Sequence, residues 1–307
     1  MTATQQRAAA DYLRETYRIS QRRAGRVLGR ARSTIRYRRR QRSGEDALIK
    51  AIRRLARRHP RYGYKRIHAR LRHKGWRVNG KRVRRLWNEL GLRRAPRRKK
   101  PRKSGMPGSS VNSCVNQPAR FKNDVWTYDF IVDRTADGGS LKWLSLVDEY
   151  TRECLALNVG TSMTGADVRR VLARVIGRRG APGRIRSDNG SEFICQVLTG
   201  WLPQAGTKAI PVAPASPWEN AFIESFPSRL RDEFLNGQEF ESMSDARSKA
   251  AWWRRAYNRI RPHSSLSYQT PMEFSAECDR GLHGQPPKEE RKLYAKGTAI
   301  SGGPKNG

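Results

Sequence analysis

Acidic residues are what this chain lacks most: 27 Asp and Glu stand against 64 Lys and Arg in 307 residues, a formal net charge of +37. That deficit excludes a cationic partner held over a broad surface and points to a polyanion. Cysteine is sparse as well. Cys114, Cys154, Cys195 and Cys278 show no CxxC or Cys–His spacing, which excludes a zinc ribbon and a disulfide framework. Nothing beside His59, His68 or His73 completes a metal set, so these read as surface or edge histidines. No apolar run approaches the ~20 residues of a membrane helix, and no signal-peptide pattern opens the chain. The expectation is a cytoplasmic chain without membrane contact.

The positive charge is not evenly spread. Residues 1–104 hold 37 Lys or Arg against 5 Asp or Glu, a net of +32, which leaves +5 for the remainder. A short basic run is usually a solvated surface, but over this length it marks a nucleic-acid footprint.

Residues 1–42 predict a helix-turn-helix. Ser20 caps a helix from Gln21 whose apolar stripe is Ala24, Val27 and Leu28; Gly29 ends it, and Ser33 caps a second helix through Thr34, Ile35 and Tyr37. The second helix would present Arg32, Thr34, Arg36 and Arg38–Arg40 to a major groove. Residues 43–92 predict a second such unit. Ser43 and Asp46 form a capping-box-like start for a helix carrying Leu48, Ile49, Ile52 and Leu55. Helices near Tyr64–His73 and Lys81–Leu90 come after the break at Pro60 and Gly63. The last buries Val83, Leu86, Trp87 and Leu90 and leaves Lys81, Arg82, Arg84 and Arg85 outside for DNA; Trp76 and Trp87 read as core. Residues 93–120, rich in Pro, Gly, Ser and charge, predict a basic linker, and 281–307 a disordered tail.

From 121 to 280 the texture is that of a globular α/β domain. Val125–Val132, Leu141–Val147 and Glu153–Val159 alternate or are apolar, as three antiparallel strands would be. A helix at Gly165–Arg179, a strand at Arg184–Ser187, a helix at Glu192–Leu202 and a strand at Thr207–Ala213 come next. Helices at Glu219–Leu235 and Ser244–Ile260 complete a mixed sheet flanked by helices.

With acids so scarce, their positions matter. Asp129 lies inside the first apolar strand, where a carboxylate is costly unless a cation or strong donors compensate it. Asp188 comes after a strand at a DNG turn, and Glu224 lies in a predicted helix between Ile223 and Ser225. Three converging carboxylates can hold two Mg²⁺ ions, which favour oxygen ligands and share their shell with phosphate. Two such ions ~3.5–4 Å apart activate an attacking oxygen and stabilise a leaving one. Taken singly, a turn aspartate, a helix-surface glutamate and a capped strand aspartate are equally good readings; beside a basic half of this size, the joint reading is favoured.

WTYDFI around Asp129, RSDNGSEF around Asp188 and SPWENAFIESF around Glu224 resemble the integrase core of bacterial insertion-sequence transposases, DDE enzymes of the retroviral-integrase superfamily. YNRIRPHSSLSYQTPMEF resembles the segment closing that core, and RYGYKRIHARLRHKGWRVN the upstream helix-turn-helix region. The resemblance implies an RNase H-like fold, with Asp129, Asp188 and Glu224 as catalytic metal ligands, two Mg²⁺ ions and Mn²⁺ as a substitute. It also implies chemistry on double-stranded DNA: hydrolysis frees a 3′ hydroxyl at an element end, and that hydroxyl attacks a target phosphodiester with no covalent protein–DNA intermediate. Self-association on DNA, a nucleoid location, and an upstream-frame protein or a fusion to it are further expectations. The chain opens at Met1 without sustained heptads, as a second-frame product would. A structure-selective nuclease on the same fold and a catalytically inactive DNA-binding repressor are the competing readings.

Pro227 departs from expectation, because it removes a hydrogen bond within the predicted helix and should kink it there. Asp148 and Glu149 read as structural or supporting acids, and His263 as a loop residue rather than a group at the substrate phosphate.

Overall fold

The computed structural model describes residues 3–37, 44–93, 117–187, 196–211 and 221–286; of residues 221–224 only the backbone is described. The chain forms two compact units, Met1–Arg53 and Arg54–Gly307.

The first unit opens with a helix that sequence reading missed, α1 (Ala3–Tyr17), and continues with α2 (Gln21–Val27) and α3 (Arg32–Arg36). All three pack on one another around Ala10, Ala24 and Ile35, with Leu13, Ile19 and Leu28 at the edge. Ser20 caps α2 as expected, accepting from the Arg23 N–H. Gly29 takes φ +62°, the left-handed conformation that ends a helix at least cost in glycine. Gly25 is needed for another reason: a Cβ there would lie 3.0 Å from the Arg30 carbonyl and 3.2 Å from Ile35 Cδ1. The reading of Ser33 as a cap is corrected. Ala31 is the N-cap and Ser33 lies inside α3, which is only five residues long. Arg38–Arg40 and Ser43 lie outside the described residues.

Helix α4 (Glu45–Arg58) begins in the first unit and ends in the second. Helices α5 (Tyr64–His73) and α6 (Gly80–Glu89) pack together, burying Ile67, Leu71, Val83, Leu86 and Trp87. Asn79 caps α6 by accepting from the Lys81 N–H. The expected linker, 93–120, falls largely on 94–116 and the expected tail, 281–307, largely on 287–307, outside the described residues. Within 281–286, Gly284 donates its N–H to the Tyr150 hydroxyl and Gln285 Nε2 donates to the Cys278 carbonyl.

Beyond them lies a five-stranded sheet in the order β3-β2-β1-β4-β5. Its strands are β1 (Val125–Arg134), β2 (Ser140–Asp148), β3 (Cys154–Gly160), β4 (Arg184–Ser187) and β5 (Lys208–Pro211). The first three pair antiparallel, while β4 and β5 add in parallel. Side chains alternate between the sheet's faces. Trp126 and Tyr128 join a core with α7 (Gly165–Arg179) and α8 (Gln196–Gln204). Ile131 and Trp143 join the opposite core, with α9 (Ala221–Glu233) and α10 (Met243–Arg259). The last helix is α11 (Pro271–Asp279), begun by a capping box between Thr270 and Glu273. Pro227 stands inside α9, which continues through it to Glu233. The lost hydrogen bond is one among many along a helix whose Phe226 and Leu230 are fully packed.

Candidate active site

Asp129 sits in the middle of β1, half-buried, with Ser145 of β2 as its cross-strand partner. Alternation puts it on the same face as Thr127 and Ile131, the face that α9 covers. One carboxylate oxygen accepts from the Phe130 N–H at 2.7 Å. Together with Thr127, Ser145, Arg152, Ser225 and Arg229 it lines a cavity of about 20 Å³, room for a single water. Ser225 and Arg229 belong to α9; the first is Glu224's neighbour in sequence and the second lies about one turn beyond. Sequence reading missed Arg152 and Arg229; the period-two pattern of β1 identifies the face, but only the fold reveals which cations reach it.

The structure therefore brings Asp129 and the helix carrying Glu224 to one face of the sheet. Asp188 lies outside the described residues, directly after Ser187, the last residue of β4. The β1–β4 ladder has three pairs, Val125↔Arg184, Trp126↔Ile185 and Thr127↔Arg186. Position 129 is two residues past Thr127, and position 188 is two residues past Arg186. Among the described residues no three His, Cys, Asp or Glu side chains group to hold a metal.

Asp148 and Glu149, read from sequence as supporting acids, have distinct tasks. Asp148 is fully buried and accepts the N–H groups of Asn123, Tyr150 and Thr151, closing the turn after β2. Burial pushes its carboxyl up, against those backbone donors. Glu149, also buried, receives both contacts of Arg186 Nη1 at 2.9 Å and the hydroxyl of Thr127. Burial pushes the Glu149 carboxyl up while Arg186 opposes it.

His263 is buried against Tyr257, and Arg261 lies 3.0 Å from its Nε2. Burial, then Arg261 and Arg229, holds its pKa well below the usual imidazole range. Its place is inside the fold. The adjoining Arg261 shares Glu233, at the end of α9, with Arg66 of α5, which lies 3.0 Å from that carboxylate. Arg61 and Asp232 approach at 3.5 Å beside them.

Of the residues expected to meet DNA, Arg32 and Arg36 are exposed on α3 and Thr34 is half-buried. On α6, Lys81 and Arg84 are exposed and Arg82 and Arg85 are half-buried, with Arg85 4.0 Å from Glu89. His59, expected at the surface or an edge, is half-buried and stacks on Tyr62 with ring centroids 4.5 Å apart. Cys154 and Cys278 are buried free thiols; Cys114 and Cys195 lie outside the described residues. No helix among the described residues is long and apolar enough to cross a membrane.

Known families match this chain. Residues 119–217 and 205–271 match integrase core domain families, and residues 43–100 match an HTH-like domain. The 31.7 kDa protein of insertion element IS407 from Burkholderia multivorans is 36% identical over 265 residues, 86% of this chain and 94% of the relative. The 39.2 kDa protein of insertion element IS476 from Xanthomonas euvesicatoria is 38% identical over 258 residues, 84% of this chain and 73% of the relative. The transposase of insertion sequence element IS904 from Lactococcus lactis is 29% identical over 221 residues, 70% of this chain and 87% of the relative. The chain belongs to the insertion-sequence transposases, polynucleotidyl transferases in which an HTH-like domain precedes an integrase core, here a mixed sheet flanked by helices.

Proposed function

We propose that this transposase cleaves DNA at insertion-sequence ends and joins the freed ends to target DNA, with Asp129, Asp188 and Glu224 as its metal-binding carboxylates. The observation that carries this reading is the β1–β4 register. Asp129 lies two residues past the last pair on β1, on the face that α9 covers, and Asp188 stands two residues past it in sequence, directly after β4. α9, which carries Glu224, packs on β1 across that face.

An all-carboxylate set suits a hard cation, and Mg²⁺ is the fitting one, as two ions with Mn²⁺ as a substitute. When bound, such ions would activate the attacking oxygen and stabilise the leaving one. The chain's own residues do the rest. Arg152 and Arg229 supply positive charge beside Asp129 for a backbone phosphate. Arg32, Thr34 and Arg36 of α3 and Lys81, Arg82, Arg84 and Arg85 of α6 are the proposed DNA contacts. Hydrolysis of one phosphodiester leaves a 3′ hydroxyl and a 5′ phosphate. The hydroxyl oxygen then attacks a target phosphorus, and the target's own 3′ oxygen leaves, so one phosphodiester is exchanged for another.

The test uses the full chain with duplexes carrying the ends of its own element and a supercoiled target. Metal-dependent nicking and joined products are expected. Nicking without joining would favour a nuclease, and metal-independent binding with no breakage a repressor.

A further inference from the structure

Thr127↔Arg186 is the last pair of the β1–β4 ladder, and at that pair a buried cluster ties the two strands together. Arg186 is 0% and Glu149 1% exposed at the side chain, so this is a fully desolvated ion pair. Glu149, just after β2, takes Arg186 Nη1 at 2.9 Å on each oxygen and the Thr127 hydroxyl as well. Arg186 Nη2 donates to the Gln117 carbonyl at 2.8 Å. Four chain segments, at 117, 127, 149 and 186, thus meet where β1 and β4 part.

A buried ion pair is a poor way to gain stability, since desolvation offsets most of the attraction. Directional bonds fix distances, however, which apolar contact does not. β4 is only four residues long and its pairing with β1 only three residues deep, so the ladder alone holds the positions beyond it weakly.

We propose that Arg186 and Glu149 are positioning residues: their ion pair, with Thr127 and Gln117, clasps β1 to β4 where their pairing ends and so holds in place Asp129, two residues further along β1 and one of the three carboxylates proposed to bind metal. The inference rests on the reading of those carboxylates as metal ligands. It gives the pair a task in metal affinity, apart from any task in folding.

The test replaces the pair by apolar residues of similar volume, Arg186→Met with Glu149→Leu, a change that tends to preserve or raise stability. Thr127→Val, which removes one hydroxyl bond, is made separately. Mn²⁺ binding to the full chain without DNA is monitored by electron paramagnetic resonance of the free ion, alongside thermal unfolding. The double variant should unfold near the wild-type temperature yet bind Mn²⁺ about tenfold to a hundredfold more weakly, as losses of groups that orient metal ligands do. Thr127→Val should weaken binding about threefold to tenfold. A folded double variant with wild-type Mn²⁺ affinity would overturn the proposal. If the double variant does not fold, Thr127→Val decides alone, and wild-type affinity there would overturn it. Asp129→Asn in parallel separates the two layers: wild-type Mn²⁺ binding by that variant refutes the ligand reading itself, and the clasp with it.

Discussion

Thr127 and Arg186 are a registered pair on neighbouring parallel strands, and both side chains bind the one carboxylate of Glu149. Their partner comes from a third strand's end, so the sheet is pinned from three directions at its fork. Two residues past that pin, each of the two chain segments carries an aspartate.

Removing those aspartates tests the chemistry. Asp129→Asn, Asp188→Asn and Glu224→Gln should each lower strand cleavage and joining by orders of magnitude while duplex affinity stays close to wild type. Gel assays of nicked and joined products, with binding measured on the same preparations, check this. Asp133→Asn is the matched control: it lies on the same strand as Asp129, four residues along, and accepts from the N–H of Arg134 at 2.9 Å.

Asp148 would be the wrong control. It is buried and accepts three backbone N–H groups, and an asparagine presents only one accepting oxygen. Asp148→Asn should lose about 1–3 kcal/mol in urea unfolding through unsatisfied donors. An unchanged midpoint would show that the turn after β2 does not depend on this carboxylate.

Glu233 gives an acid-side prediction. Burial pushes its carboxyl up, but Arg261 and Arg66 together outweigh burial and leave it below the ordinary 4.5. A depressed carboxylate contributes stability that is present above its unfolded pKa and lost as pH falls through the folded one. Glu233→Gln should therefore cost about 3–5 kcal/mol near neutrality, as breaking a buried pair does. The gap from wild type should close as pH drops below 4.5. Thermal midpoints of both proteins across that range measure it.

His59 works in the same direction by another route. Burial, then Arg70 and Arg58, lowers it from 6.5 to about 4. The folded state therefore resists protonating it, and stability falls as pH drops from 6.5 toward 4. The slope has a ceiling of about 1.4 kcal/mol per pH unit, and solvent reaching the half-buried ring screens it to about half of that. His59→Gln should flatten that slope in urea midpoints taken at intervals across the window. An equal slope in both proteins would refute the assignment.

Duplex binding by the full chain should fall steeply with salt. The net +32 over residues 1–104 makes the contacts electrostatic. About eight neutralised phosphates would give a log–log slope near −7. A slope near zero would remove the charge argument.

The sheet was legible because β-alternation writes itself into sequence: Trp126, Tyr128 and Ile131 declare two faces before any fold is seen. α1 was not, because its inward residues Ala10 and Leu13 make too short an apolar stripe to read. Asp129 stood out as an acid among apolar neighbours. Arg186 and Glu149 did not, since an ion pair spanning 37 positions leaves no periodic mark, and Arg186 looks like one more arginine in a basic chain. Asp148 was underestimated because its partners are backbone groups, which every sequence has everywhere.

The bond from Arg66 to Glu233 has a consequence for how this chain can change. One end of α9 is fastened to α5 while its other end carries Glu224, nine residues earlier in the same helix. A helix is a rod with fixed phase, so inserting a single residue between those two points would turn one end by about 100° against the other. Substitutions along α9 can be absorbed locally; a change in its length cannot. The interval from 224 to 233 should thus behave as a ruler, tolerant in letter and strict in count.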